Sequence, residues 1–282
     1  MKEGRKLKSI DPMNAVSVYI MPTRNGASNQ FNATLDIGRA EEFIRRKRAE
    51  GKKGIGLMHV IMAAYVRTVA THPGINRFIR GQKLYARNGI DICLTIKKKF
   101  ELNAPETVIK IPATPEDTID TVYENIVKLL EENKSESDEN GMDVAAKVLS
   151  HIPGVFLKFA VWVLKTLDYF GLLPKSLVKV SPFHGSMFLT NMGSLGIDAI
   201  FHHLYDFGNL PLFCAMGKKR TEHVLEADGT VKKVRLMDIT LVTDERICDG
   251  HYYASAFKTL KKYIEDPERL ENKPEKVVCD IK

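Results

Sequence analysis

Asp244, Glu245, Arg246, Asp249, Gly250 and His251 gather carboxylates, a guanidinium and an imidazole into one short stretch. These are the side-chain types that move protons in general acid-base chemistry. The preceding run, Ile239-Thr240-Leu241-Val242-Thr243, is β-branched or apolar on both faces, which predicts a strand buried on both sides. Ionisable groups at the end of a central strand are held rigidly and are well placed to meet a substrate. After the turn at Asp249-Gly250, Tyr253, Ala256, Phe257, Leu260, Tyr263 and Ile264 fall on one stripe of an amphipathic helix. A plainer reading stands beside the chemical one: Asp249 caps that helix, and Gly250 supplies a conformation other residues avoid.

The totals bound what these residues can serve. A chain of 282 residues can bury a substantial core, and 44% hydrophobic with 27% charged residues is ordinary for a folded globular protein. The net charge is +7, with basic clusters at Arg45-Arg46-Lys47-Arg48, Lys97-Lys98-Lys99 and Lys218-Lys219-Arg220. No nucleic-acid-binding module accompanies them, so they read as solvated faces, and a basic rim would also attract a polyanion such as coenzyme A. Cys93, Cys214, Cys248 and Cys279 are far apart, which argues against a zinc site or a disulfide framework and favours a reducing compartment. The basic N-terminus is followed by no apolar signal core, and a cytoplasmic location is expected.

Taken in order, Val16 to Met21 and Phe31 to Ile37 predict short strands. Arg39 to Glu50 predicts a surface helix with Phe43 and Ile44 inward, and Gly51 to Gly56 a connector. Leu57 to Ala70 is an apolar helix stopped by His72-Pro73-Gly74. Gln82 to Ala86, Ile90 to Ile96 and Thr107 to Pro112 read as strands, the first two joined by the hairpin turn Asn88-Gly89. A helix over Thr118 to Glu132 and a polar loop over Lys134 to Gly141 follow. Ser186 to Asn191 and Leu210 to Met216 are strands, and Glu222 to Leu225 forms a hairpin with Val231 to Val242. The charged tail from Asp266 to Lys282 is expected to be peripheral.

Residues 142–180 stand apart. Val155 to Phe170 is nearly all apolar, interrupted by Lys158, Lys165 and Asp168, so no run reaches the ~20 residues of a membrane span. A buried helix, a subunit contact and a helix lying on a membrane surface through 155–170 are all open.

The stretch Asp244 to Gly250 resembles the Asp-His-Arg-x-x-Asp-Gly region of the acyltransferase family that includes chloramphenicol acetyltransferase and the catalytic domain of dihydrolipoyl acyltransferases, with Glu245 at the histidine place. His72-Pro73-Gly74-Ile75-Asn76, the strand Ile90 to Ile96, Pro115-Glu116-Asp117-Thr118, and Phe188-Leu189-Thr190-Asn191-Met192-Gly193 repeat the family's other words in the same order. The resemblance implies an α+β two-layer domain over residues 1–282, a mixed sheet with helices on one face, with 142–180 as an insertion. It also implies a homotrimer with active sites between subunits, coenzyme A or acyl-CoA as substrate, and a small-molecule acyl acceptor. The lipoyl-bearing modules are absent from the sequence, as is any lipoylation word or Pro/Ala-rich linker.

Carried over position by position, Thr190 stands where the family has the serine that supports the oxyanion, Glu245 where it has the basic histidine, and Asp249 where it has an aspartate of mainly architectural role. Acyl transfer from a thioester needs a base, an oxyanion donor and a site that holds both substrates. Threonine keeps the hydroxyl. Glutamate is the larger change: a free carboxyl titrates at about 4.3 against about 6.5 for imidazole. The implied function is acyl transfer with the histidine replaced by Glu245, or by a base imported from His202, His203 or His251. The alternative is a degenerate relative that binds a ligand or serves as a scaffold. His59, on the apolar helix, reads as a satisfied core histidine.

Overall fold

The structure is a computed structural model that describes residues 3–97, 106–135 and 151–282. Its strands are β1 (Gly4–Lys6), β2 (Ser28–Asp36), β3 (Phe78–Arg80), β4 (Lys83–Arg87), β5 (Ile90–Lys97), β6 (Glu106–Ala113), β7 (Met187–Asn191), β8 (Leu212–Leu225) and β9 (Val231–Asp244). Its helices are α1 (Pro12–Ile20), α2 (Gly38–Ala49), α3 (Leu57–Thr71), α4 (Ile119–Ser135), α5 (Gly154–Phe170), α6 (Lys175–Val180) and α7 (Gly250–Glu265). The main sheet runs β2-β9-β8-β7-β5-β6, and a small sheet runs β1-β4-β3. Strand β7 pairs parallel with β5 and β8, and the other neighbours are antiparallel. The fold is therefore α+β with a mixed sheet, as the family resemblance implied.

One face of the sheet is covered by helices. Strand residues alternate faces, so Met187, Leu189, Cys214, Ile239 and Leu241 point into the helical layer. Helix α3 lies at its centre, buried on nearly every side, and its one deep cation, Arg67, donates to the Arg269 and Asn272 carbonyls. Helix α7 buries Tyr253, Ala256, Leu260 and Ile264, the predicted stripe. Each large apolar side chain so placed stabilises by about 1.5–3 kcal/mol of transfer free energy. The opposite face carries a smaller cluster, Cys93, Phe188, Phe213 and Val242, capped by Leu204 and Leu210 from the 196–211 loop.

Several expectations are corrected. Val16 to Ile20 is helical within α1 and Met21 is its C-cap, because Asp11 accepts the Met13 amide and Pro12 opens the first turn. Asn88-Gly89 closes no hairpin: β4 pairs within the small sheet and β5 within the large one, so the turn passes the chain between sheets. Helix α4 continues to Ser135, and residues 136–150, including the rest of the predicted polar loop, lie outside the described residues. The C-terminal tail is held to the body. Val278 donates to the Ala70 carbonyl, Arg77 clasps Asp280, and the Lys8 and Ser9 amides donate to the Lys282 carbonyl. Nor is α5 a buried helix: none of its residues is buried.

The basic clusters at 45–48 and 218–220 are paired with carboxylates. Lys47 reaches Glu271 at 2.7 Å, Lys219 reaches Glu41 at 2.8 Å, and Arg220 clasps Asp238.

Candidate active site

Strand β9 ends at a charge cluster folded tightly on itself. Asp244, 1% exposed, receives two parallel hydrogen bonds from Arg246, each 2.8 Å, and lies 3.5 Å from the Arg24 guanidinium. Arg246 also donates to the Met21 and Pro22 carbonyls, and Arg24 to those of Tyr205 and Gly208. Bidentate pairing of this kind fixes geometry as well as charge. It ties the turn to the segment after α1 and to the loop after β7. Arg246 is therefore committed to Asp244 and leaves Glu245 alone, as the alternation of strand side chains favours.

Glu245 is exposed, and its amide donates to the Ala27 carbonyl at 2.9 Å. Asp249 is exposed too; its carboxylate accepts the Tyr252 amide at 2.8 Å and caps α7. The capping reading of Asp249 thus describes the structure.

Thr190 sits near the C-terminal end of β7, half-buried, on the face opposite the helical layer. Among the described residues its hydroxyl has no hydrogen-bond partner, which leaves it free for a ligand. The next residue, Asn191, accepts the Ser194 amide and shapes the turn beyond the strand. Gly193 and Gly217 meet backbone to backbone there, and a Cβ on Gly193 would overlap the Gly217 carbonyl. This is why the turn needs glycine.

Within one chain Thr190 and Glu245 are far apart. Thr190 pairs in register with Ala215, and Ala215 with Thr240. Glu245 lies five residues beyond Thr240, about 17 Å along the sheet at ~3.3 Å per residue, and two strands aside. The turn lies just beyond one end of the sheet, whereas the hydroxyl lies near its middle.

The histidines divide. His203 and His251 are exposed. His59 is half-buried rather than deep in the core. Its Nδ1 accepts the Gly56 amide at 3.1 Å at the start of α3, and burial pushes its pKa down to about 4. His202 stacks on Phe213 with ring centroids 4.2 Å apart, on the same sheet face as Thr190 and two residues back along the neighbouring strand. Its buried Nε2 has no partner among the described residues, and burial, then His203, lowers its pKa.

One hydrogen-bonded group was not singled out in the sequence. Buried His184 bonds Asp168 of α5 through Nε2 at 3.1 Å and Ser181 through Nδ1 at 2.8 Å, while the Gly208 amide donates to Asp168. Ser181 is itself buried, so the chain Ser181-His184-Asp168 roots α5 to the sheet rather than presenting a nucleophile. The charge within the apolar run was its only sequence signal. Among the described residues no group of three or more histidine, cysteine, aspartate or glutamate side chains could hold a metal ion.

The fold is one shared with acyltransferase catalytic cores. Residues 175–271, which contain Thr190, Glu245 and Asp249, match the model of the 2-oxoacid dehydrogenases acyltransferase (catalytic domain) family. The chain is similar in structure to the dihydrolipoamide acetyltransferase (E2p) of Azotobacter vinelandii, at 13% identity over 92% of this chain and 88% of that one, TM-score 0.59. It is similar to the cubic core of the pyruvate dehydrogenase multienzyme complex, at 14% identity over 92% and 88%, TM-score 0.55. A chloramphenicol acetyltransferase aligns at 14% identity over 94% of this chain and all of that one, TM-score 0.56. At these identities the likeness is one of fold. No curated protein matches by sequence.

Proposed function

We propose that the chain transfers an acyl group between coenzyme A and a small-molecule acceptor, at sites completed between the subunits of a homotrimer. The carrying observation is the separation of Thr190 and Glu245 within one chain, about 17 Å along the sheet and two strands aside, with Thr190 half-buried on its strand and Glu245 exposed on a braced turn. Two half-sites that never meet within a chain are what a site shared between neighbouring copies requires. The serine, histidine and asparagine studied for their role in the Azotobacter enzyme's mechanism support the assignment, because its histidine and asparagine stand four residues apart, as Glu245 and Asp249 do. In this reading Thr190 donates to the thioester oxyanion, Glu245 of the adjoining copy takes the acceptor's proton, and Asp249 holds the turn through the α7 cap. The chain acts as one catalytic unit, in the cytoplasm where acyl-CoA is found.

The test is release of free thiol from acetyl-CoA with thiol and amine acceptors. Sustained turnover lost in Glu245→Ala and in Thr190→Val is expected. Mixing the two inactive variants in equal amounts restores about a quarter of wild-type activity, since that share of interfaces joins an intact hydroxyl to an intact carboxylate. No recovery would place the two groups in different sites. Binding of coenzyme A without turnover by the wild type would identify a degenerate, ligand-binding relative.

A second base is favoured by one observation, the unpartnered Nε2 of His202 on the Thr190 face. Activity that survives Glu245→Ala and fails in His202→Gln assigns the proton to that imidazole.

A further inference from the structure

Helix α5 carries an apolar face that none of the described residues covers. Phe156, Phe159 and Trp162 are 65%, 62% and 60% exposed, and the Phe159 and Trp162 rings stack at 5.8 Å on its outer side. Phe170 and Leu172 continue the face past the helix end, where Gly171 adopts φ 69° and turns the chain back over Arg80. Apolar patches of this extent mark a contact surface. The patch reaches a second helix. The Tyr169 hydroxyl bonds Gln82 at 3.0 Å, and Gln82 shares a cleft with Tyr19 of α1, whose Met13, Val16 and Ile20 are exposed as well.

Charge decides what covers it. Lys158, Lys165, Lys175 and Lys179 are exposed on α5 and α6, and none forms an ion pair among the described residues. The single carboxylate of α5, Asp168, is turned inward to His184 and the Gly208 amide. The segment therefore shows water four cations that no described carboxylate pairs, and no exposed anion of its own. The buried centre of a protein-protein interface is depleted of lysine. A helix lying on a bilayer has aromatic and aliphatic side chains interleaved with lysines, the long stems reaching phosphates while the rings sink among acyl chains. At ~1.5 Å per residue α5 is about 26 Å long, and no helix among the described residues is long and apolar enough to cross a membrane.

We infer that the α5 face, continued by α1, docks the protein on an anionic phospholipid surface. The inference stands apart from the acyl-transfer reading, since vesicle binding and thiol release are separate measurements.

Trp162 is the sole tryptophan of the chain and lies in the centre of the face, so it reports directly. With vesicles of phosphatidylcholine and phosphatidylglycerol its emission shifts to the blue and is protected from acrylamide. With phosphatidylcholine alone the shift is much smaller, and salt weakens the anionic response. Lys158→Gln and Lys165→Gln each reduce affinity roughly fivefold. The exposed pair Phe156→Ser with Phe159→Ser abolishes the shift while far-UV circular dichroism is unchanged. An unshifted Trp162 with anionic vesicles overturns the inference. So does vesicle binding that persists in the double serine variant, or a blue shift that grows with protein concentration alone while the mass of the oligomer falls in that variant. The last result would make the occupant a second copy of the chain.

Discussion

Asp244 and Asp249 are both carboxylates of the family-like motif, yet they do different physical work. Asp244 is buried between two guanidiniums, and removing its charge would leave Arg24 and Arg246 desolvated without a counter-ion. Breaking a buried pair from one side costs about 3–5 kcal/mol, so Asp244→Asn is expected to lower the urea midpoint severely. Asp249 is exposed and accepts one helix amide. Asp249→Ala should cost about 1 kcal/mol, and Asp249→Asn almost nothing because asparagine caps as well. Denaturation of the three variants checks the order. An Asp249→Asn variant that folds normally but loses acyl transfer would give that carboxylate more than a capping role.

Among the elements, α3 sets the clearest pH dependence through its first turn. His59 is held neutral by burial, with a pKa of about 4 in the fold against 6.5 in the unfolded chain. Between those values the unfolded chain binds a proton that the native helix start excludes, so stability present above pH 6.5 is lost as pH falls towards 4. The urea midpoint should decline over that window, and His59→Gln, whose amide oxygen can still accept the Gly56 N–H, should flatten the decline. A slope that survives in His59→Gln would assign it to other groups. The elements also differ in how plainly their sequence announces them. Strand β9 and helix α7 were legible because their apolar periodicity and their burial agree. Helix α1 was not, because Val16-Ser17-Val18-Tyr19-Ile20 has β propensity and the capping Asp11-Pro12 pair outweighed it. The Asn88-Gly89 turn was read correctly as a turn and wrongly as a hairpin, since the turn is local and the choice of strand partner is not.

At the scale of the whole molecule, the proposed division of the site between copies would make activity depend on assembly. Specific activity per chain should fall on dilution in step with loss of the oligomer, followed by light scattering on the same samples. Activity that stays constant while the mass falls to that of one chain would mean that a single subunit holds a complete site. The interfacial face on α5 adds a second surface, and its rooting through Asp168, His184 and Ser181 holds that helix to the sheet while leaving its outer side free.

From the sequence alone came the mixed α+β architecture, the order of most strands and helices, and the candidate positions Thr190, Glu245 and Asp249. The order of the elements is written in periodicity along the chain, whereas the architecture and the three positions were implied by the resemblance of short motifs to the acyltransferase family. Tertiary structure decided that Arg246 serves Asp244, that Asp249 caps α7, that the C-terminal tail is anchored, and that the apolar 155–170 helix faces outward. The division has one physical cause. Apolar content and turn chemistry are properties of neighbouring residues, whereas the partner of a buried charge and the cover of an apolar face come from parts of the chain far away in sequence, as Arg24 does for Asp244.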